Sequence, residues 1–185
     1  MRNRALPAGG EDFRRLFEAH RDMVFRFLYR LAGDRHDAED LTQDTFVRLW
    51  QKRDQFRGDG SVEGYLRRIA YRTFLNARVR LARAHGPRLP ESMEPAGPDA
   101  DPVEEVGRKE LKRHLLAQVR QAVEELPSSW REPFVLFRYE GLKLKQIAEV
   151  MGITPKAAEL RVARALERVA ARLRDLRAEY GEVLP

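Results

Sequence analysis

The sequence predicts an all-α protein: two small helical domains joined by an extended acidic linker. Three observations carry that prediction. Apolar residues recur at three- and four-residue spacing along most of the chain, which is the helical period. Residues 86–105, GPRLPESMEPAGPDADPVEE, break the pattern with five prolines, so they read as an extended connection between two helical parts. Charge then divides the chain the same way. Residues 1–85 hold 18 basic and 12 acidic groups, residues 86–105 hold one and six, and residues 106–185 hold 16 and 11. With 185 residues, 43% of them hydrophobic, the chain can fill two modest cores. The linker is either a plain solvated tether or an acidic strand that occupies a basic channel made for nucleic acid.

The first helix is expected over 11–32, where Phe13, Leu16, Phe17, His20, Val24, Phe27, Leu28 and Leu31 make a broad apolar stripe. Gly33 and Asp34 end it. Residues 37–56 make the second, with Ala38, Leu41, Thr45, Phe46, Leu49 and Trp50 inward and Glu39, Asp40, Gln43, Asp44 and Arg48 outward. After the loop FRGDGS, residues 62–84 form a third helix. From Tyr65 onward it carries Arg67, Arg68, Arg72, Arg78, Arg80 and Arg83 and no acid. Tyr65, Tyr71 and Phe74 lie among these arginines. Basic groups mixed with rings suit a strand whose bases are exposed for stacking, although core packing is the commoner fate of a ring.

In the second part, a helix over 106–125 is stopped by Pro127, and another covers 129–139 with Pro133 in its first turn, where proline is tolerated. Leu115, Val119, Val123, Leu126, Trp130, Phe134, Leu136, Phe137 and Ile147 are the expected core. In LKLKQIAEVM, residues 142–151, Leu144, Ile147, Ala148 and Met151 share one face of a short helix. Gly152 supplies the turn. Thr154 followed by Pro155 signals a new helix start, since a threonine hydroxyl caps free amides and proline suits the first helical position. Ala158, Val162, Ala165, Leu166 and Val169 give this last helix a buried stripe, and Lys156, Glu159, Leu160, Arg161, Ala163 and Arg164 look outward. A basic helix presented this way fits a major groove. The competing reading is a helical hairpin with a solvated charged face.

The net charge of +6 and pI near 9.9 favour a polyanionic partner. With no cysteine, disulfides, thiolate metal sites and thiol chemistry are excluded. His20, His36, His85 and His114 are scattered, and neither a glycine-rich phosphate loop nor a nucleophile motif occurs, so no catalytic residue, metal or cofactor is expected. Asp37, Glu39, Asp40 and Asp44 could ligate magnesium on a helical face, but no second set of ligands converges on them. Without an export signal or eighteen consecutive apolar residues, the chain is expected to stay in the cytoplasm with no membrane insertion.

Two motifs on either side of the linker, HDAEDLTQDTFVRLW at 36–50 and LPSSWREPFVLFRYEGLKLKQIAEVMGITPKAAELRVARAL at 126–166, resemble the second and fourth conserved regions of the sigma-70 family, specifically its extracytoplasmic-function group. The resemblance covers almost the whole chain. It implies a sigma region 2 domain over 1–85, the linker over 86–105 and a helix-turn-helix sigma region 4 domain over 106–185. The function it implies is that of a transcription initiation factor. Such a factor binds the beta-prime clamp and beta flap of core RNA polymerase, recognises the minus-thirty-five and minus-ten promoter elements, and assists promoter opening without making or breaking a bond. An anti-sigma protein is a further implied partner. The alternative is a two-domain helix-turn-helix regulator acting without core polymerase, and the motif at 37–50 discriminates between them.

Carried over by position, Asp37, Asp40, Gln43, Asp44 and Arg48 would meet polymerase, while Leu41, Phe46, Leu49 and Trp50 hold their helix. The loop 56–63 matches the family's specificity loop, which captures a flipped base, and removing a base from the stack costs a few kcal/mol. Arg57, Ser61, Tyr65, Arg68, Arg72, Asn76 and Arg80 would hold the opened downstream strand. Lys156, Ala157, Glu159, Leu160, Arg161, Ala163 and Arg164 would face the upstream element. The chain departs from the family pattern in places: Tyr65 stands where Trp is frequent, an Asn is usual near Arg72, and KAAELRV at 156–162 replaces a common GTVKSRL. Glu159 thus replaces a usual cation. A carboxylate is repelled by phosphate, yet it can accept from a cytosine amino group. The linker resembles the family's connector toward the polymerase active centre, where its negative charge would suit a path taken by RNA.

Overall fold

The computed structural model describes residues 10–55, 61–85 and 106–180. Seven α-helices occur in them, with one 3-10 turn and no strand: α1 Gly10–Ala32, α2 Arg35–Gln51, the turn Arg53–Gln55, α3 Val62–His85, α4 Val106–Glu124, α5 Ser128–Arg138, α6 Leu144–Met151 and α7 Pro155–Tyr180. One compact unit holds α1, α2 and α3, and another holds α4, α5 and α7. The expected linker, 86–105, lies outside the described residues, as do 181–185 of the C-terminal tail.

In the first unit all three helices pack on one another. Val24, Phe27 and Leu28 of α1, Leu41 and Leu49 of α2, and Leu66 and Ala70 of α3 are almost wholly removed from water, which is where hydrophobic stabilisation is largest. Edge-to-face ring pairs link α1 to α2, Phe17 with Phe46 and Phe13 with Trp50, each at 4.8 Å between centroids. The buried hydroxyls of Thr42, Thr45 and Thr73 donate to the carbonyls of Ala38, Leu41 and Ile69 at 2.7, 2.7 and 3.0 Å, so these three are satisfied within their own helices.

Gly33 and Asp34 make the corner between α1 and α2 with a division of labour. Gly33 takes a left-handed φ of 78°, and its N–H donates to the Tyr29 carbonyl at 2.9 Å, the C-terminal device glycine serves best. Asp34 does not end α1 but begins α2: its Oδ1 accepts from the Asp37 N–H at 3.0 Å. The helix therefore starts at Arg35, two residues before the expected 37. It also stops at Gln51 rather than running to 56. The Lys52 N–H shares the carbonyls of Arg48, Leu49 and Trp50, and Arg53 Nη1 donates to the Trp50 carbonyl at 2.8 Å with its Cζ 4.3 Å from the Trp50 ring centroid. Those contacts divert the chain into the 3-10 turn.

In the second unit α5 and α4 both pack on α7, and Val123, Leu126, Phe134, Val135, Leu136, Ala158, Val162 and Ala165 are buried. Two expected core residues are not. Phe137 is 37% exposed and Leu166 42%: Phe137 turns past the arc that buries Phe134, Val135 and Leu136, and Leu166 turns about 100° from the buried Ala165. Val119 and Trp130 are half-buried, and the Leu115 side chain lies outside what is described. Pro133 is not in the first turn of α5: the helix begins at Ser128, which makes Pro133 its sixth residue, past the positions whose amides are free anyway.

The α6 to α7 connection is built as its residues require. Gly152 has φ 68°, and the Ile153 N–H reaches back to the Ala148 carbonyl at 3.0 Å, a Schellman-type ending. Thr154 Oγ1 then accepts from the Ala157 N–H at 3.1 Å, with Pro155 at the first position of α7.

Candidate functional site

Three exposed faces gather the chemistry. On α2, Asp40, Gln43, Asp44 and Arg48 are exposed and recur three, four and eight residues after Asp40, so they share one side. The buried Leu41, Thr45 and Leu49 fix that side's direction by locking the other into the core. Asp37, expected on this face, is only 8% accessible. It sits in the first turn, where a carboxylate complements the free amides and positive end of a helix. Glu39 is held by Arg35 at 2.9 Å.

Periodicity alone missed two features here. Val47, 53% exposed, lies amid the charges, and an open cleft of about 460 Å³ between α1 and α2 is lined by Phe17, Arg21, Asp22, Phe25, Arg35, Glu39, Thr42 and Gln43.

On α3, Arg72, Asn76 and Arg80 are exposed at four-residue steps, an inclined row along one side of the helix, with Tyr65 and Arg68 half-buried nearer its start. Tyr71 and Phe74 are 3% and 5% accessible, so the idea that they stack on bases fails: core packing has taken them. Val79, unforeseen, is 60% exposed in the same stretch. Ser61 caps the helix, its Oγ accepting from the Gly64 N–H at 3.1 Å and its carbonyl from the Tyr65 N–H at 3.1 Å. The Glu63 carboxyl is held below its ordinary 4.5, chiefly by its own backbone N–H at the helix start, against partial burial, with Ser61, His20 and Arg67 assisting. Arg57 and the rest of 56–60 lie outside the described residues.

On α7, Lys156, Glu159, Leu160, Ala163 and Arg164 are exposed and Ala157 and Arg161 half-buried, while Ala158, Val162, Ala165 and Val169 face inward. Lys156 Nζ and Glu159 Oε2 pair at 3.0 Å. Arg164 Cζ stands 5.8 Å from the centroid of the Trp130 ring on α5. A helix bearing these donors on a side left free by its core contacts can meet base edges and phosphates together. No described helix is long and apolar enough to cross a membrane.

Residues 16–84 match the family model for Sigma-70 region 2, and residues 116–169 match that for Sigma-70, region 4. The chain is 34% identical over 179 residues to the ECF RNA polymerase sigma factor SigE of Mycolicibacterium smegmatis, covering 96% of this chain and 64% of that protein. It therefore spans just under two thirds of that relative. It is 32% identical over 180 residues to the RNA polymerase sigma factor CarQ of Myxococcus xanthus, covering 94% and 96% of the two chains. Among solved structures, CnrH in complex with the cytosolic domain of CnrY aligns with a TM-score of 0.62 at 27% identity over 92% of this chain and 93% of that one. The sigma factor RpoE of Bartonella quintana, in complex with the anti-sigma factor NepR, has a TM-score of 0.62 at 22% identity over 89% of this chain and 98% of that one, a likeness of fold.

Proposed function

The chain belongs to the sigma-70 family, and on that premise we propose that it is a transcription initiation factor that joins core RNA polymerase, reads two separated promoter elements and helps open the downstream one. The observation that carries this reading is the α2 face: Asp40, Gln43, Asp44 and Arg48 are exposed on a helix whose opposite side is locked into a core. Such a charged face suits a complementary partner surface, here the beta-prime clamp, and gives rapid, salt-dependent association.

Residues 1–85 act as the polymerase and downstream-element domain, 86–105 as the linker, and 106–185 as the upstream-element domain, which also meets the beta flap. Arg72, Asn76 and Arg80 follow the opened strand by its phosphates, with Tyr65, Arg68, Arg57 and Ser61 nearer the captured base. A flipped base must recover its lost stacking through contacts in its pocket. Lys156, Ala157, Glu159, Leu160, Arg161, Ala163 and Arg164 face the upstream duplex. Each DNA contact is weak alone, and mounting both on one polymerase turns the second into an intramolecular event. The protein works in the cytoplasm, makes and breaks no bond and needs no cofactor. The structure of CnrH is of a complex with the cytosolic domain of CnrY, and that of RpoE, a likeness of fold, is of a complex with the anti-sigma factor NepR; an anti-sigma partner for this chain is in keeping with them. Family membership weighs against a conventional regulator that acts without core polymerase.

Transcription in vitro with purified core polymerase tests the reading. Added chain should start synthesis from promoters that carry the two elements, and Asp44→Lys should reduce that stimulation by weakening association. Tight duplex binding with no effect on polymerase would overturn it.

A further inference from the structure

Two exposed basic side chains of α7, Lys156 and Arg164, are held in different ways, and the difference points to a residue outside the recognition helix. Lys156 is engaged by Glu159 on its own helix at 3.0 Å, with both side chains largely in water, so the pair is screened and easily exchanged for a phosphate. Arg164 instead has its Cζ 5.8 Å from the centroid of the Trp130 ring, within the distance at which a guanidinium is attracted to an aromatic face, and tryptophan is the best such face. The backbone that carries the ring is anchored. Trp130 lies in the first turn of α5, where its N–H donates to the Pro127 carbonyl at 2.8 Å. The neighbouring Arg131 Nη1 donates to the Glu124 carbonyl at 3.2 Å and ties that turn to the end of α4. Helices α5 and α7 pack directly on one another.

A guanidinium is planar and its five donors radiate within the plane. Attraction of the cation to a ring limits the rotamers of a long exposed side chain and holds its charge near the ring while donors remain for the paired acceptors of a guanine edge. We propose that Trp130 is a positioning residue for Arg164 and, through it, a determinant of base choice in the upstream element. The proposal rests on the reading of α7 as the helix that faces upstream DNA. It adds a specificity residue on α5, remote in sequence from the helix that would touch the bases.

The test uses holoenzyme assembled from core polymerase and the full chain, with promoters in which each upstream base pair is changed in turn. Trp130→Met keeps bulk without an aromatic face, Trp130→Phe keeps a face, and Arg164→Ala removes the cation. Trp130→Met should lower discrimination at the same base pair as Arg164→Ala, by roughly two- to fivefold. Trp130→Phe should restore most of it, and adding Trp130→Met to Arg164→Ala should change nothing further at that position. If Trp130→Met weakens all promoter variants equally, Trp130 only supports the fold and the proposal falls while the reading of α7 stands. If Arg164→Ala alters no base preference, both fall. Should Trp130→Met not fold, Arg164→Gln in a Trp50→Phe background leaves Trp130 as the one tryptophan of the two in the chain. Its emission should shift on loss of the cation, and unchanged emission would overturn the pairing.

Discussion

Asp37, Asp40 and Asp44 share one motif and one helix, yet they differ in kind, and only the fold separates them. Helical spacing places Asp40 and Asp44 on the outer face. Asp37 lies three residues before Asp40 and so on the same side, but it occupies the first turn that Asp34 caps, and there only 8% of it is accessible. Cap geometry of that sort depends on backbone torsions, which an apolar pattern does not encode. The same holds for Tyr71 and Phe74: their neighbours are arginines in sequence, but the faces they occupy point into the core. Asp40→Lys or Asp44→Lys should weaken co-purification with core polymerase while leaving the melting temperature within a degree or two, since exposed charges contribute little to stability. Asp37→Lys should do the reverse and lower the melting temperature first. Phe27→Ala, at a site with no exposure, should lose about 3–5 kcal/mol of stability, measured by denaturant unfolding.

The helices themselves were legible because their amphipathic spacing is regular, and the start of α7 was legible to the residue because Thr154 and Pro155 are start signals with a mechanism. Thr154→Ala should remove the bond to the Ala157 N–H and cost about 1 kcal/mol. Gly152→Ala meets no neighbouring atom within 4 Å, so its penalty comes from the backbone alone, about 1–2 kcal/mol for a left-handed alanine. Ends without such signals were less readable. Where α2 stops is decided by Arg53 folding back on Trp50, and where α5 starts is decided by Pro127, which shifts Pro133 into the helix interior. At the start of α3, Glu63 has its pKa lowered in the folded state. Its contribution is therefore present above its ordinary 4.5 and lost as pH falls through the folded value. Glu63→Gln should lower the melting temperature slightly at neutral pH, and the gap from wild type should close under acid conditions.

At the scale of the whole chain, the alternation of basic, acidic and basic segments was legible from residue counts alone, and it frames how the molecule would work. On the proposed reading, two basic helical parts would meet DNA, with the acidic stretch between them in sequence. Contacts of this kind release counterions, so binding of the assembled holoenzyme to promoter should weaken steeply as salt rises from about 50 to 200 mM, in proportion to the phosphates neutralised. Neutralising Arg72 and Arg80 together should reduce that slope while sparing association with core polymerase. The placement of Arg164 over Trp130, on which the proposed base choice rests, is of a kind that no periodicity reports. The central claim is that the chain links polymerase to promoter. The most direct measurement is transcription by purified bacterial core polymerase, with and without this chain, on a promoter library. The account predicts chain-dependent initiation confined to templates sharing two separated elements. Failure of the chain to associate with core enzyme at any salt concentration, with no change in the transcripts made, would contradict it.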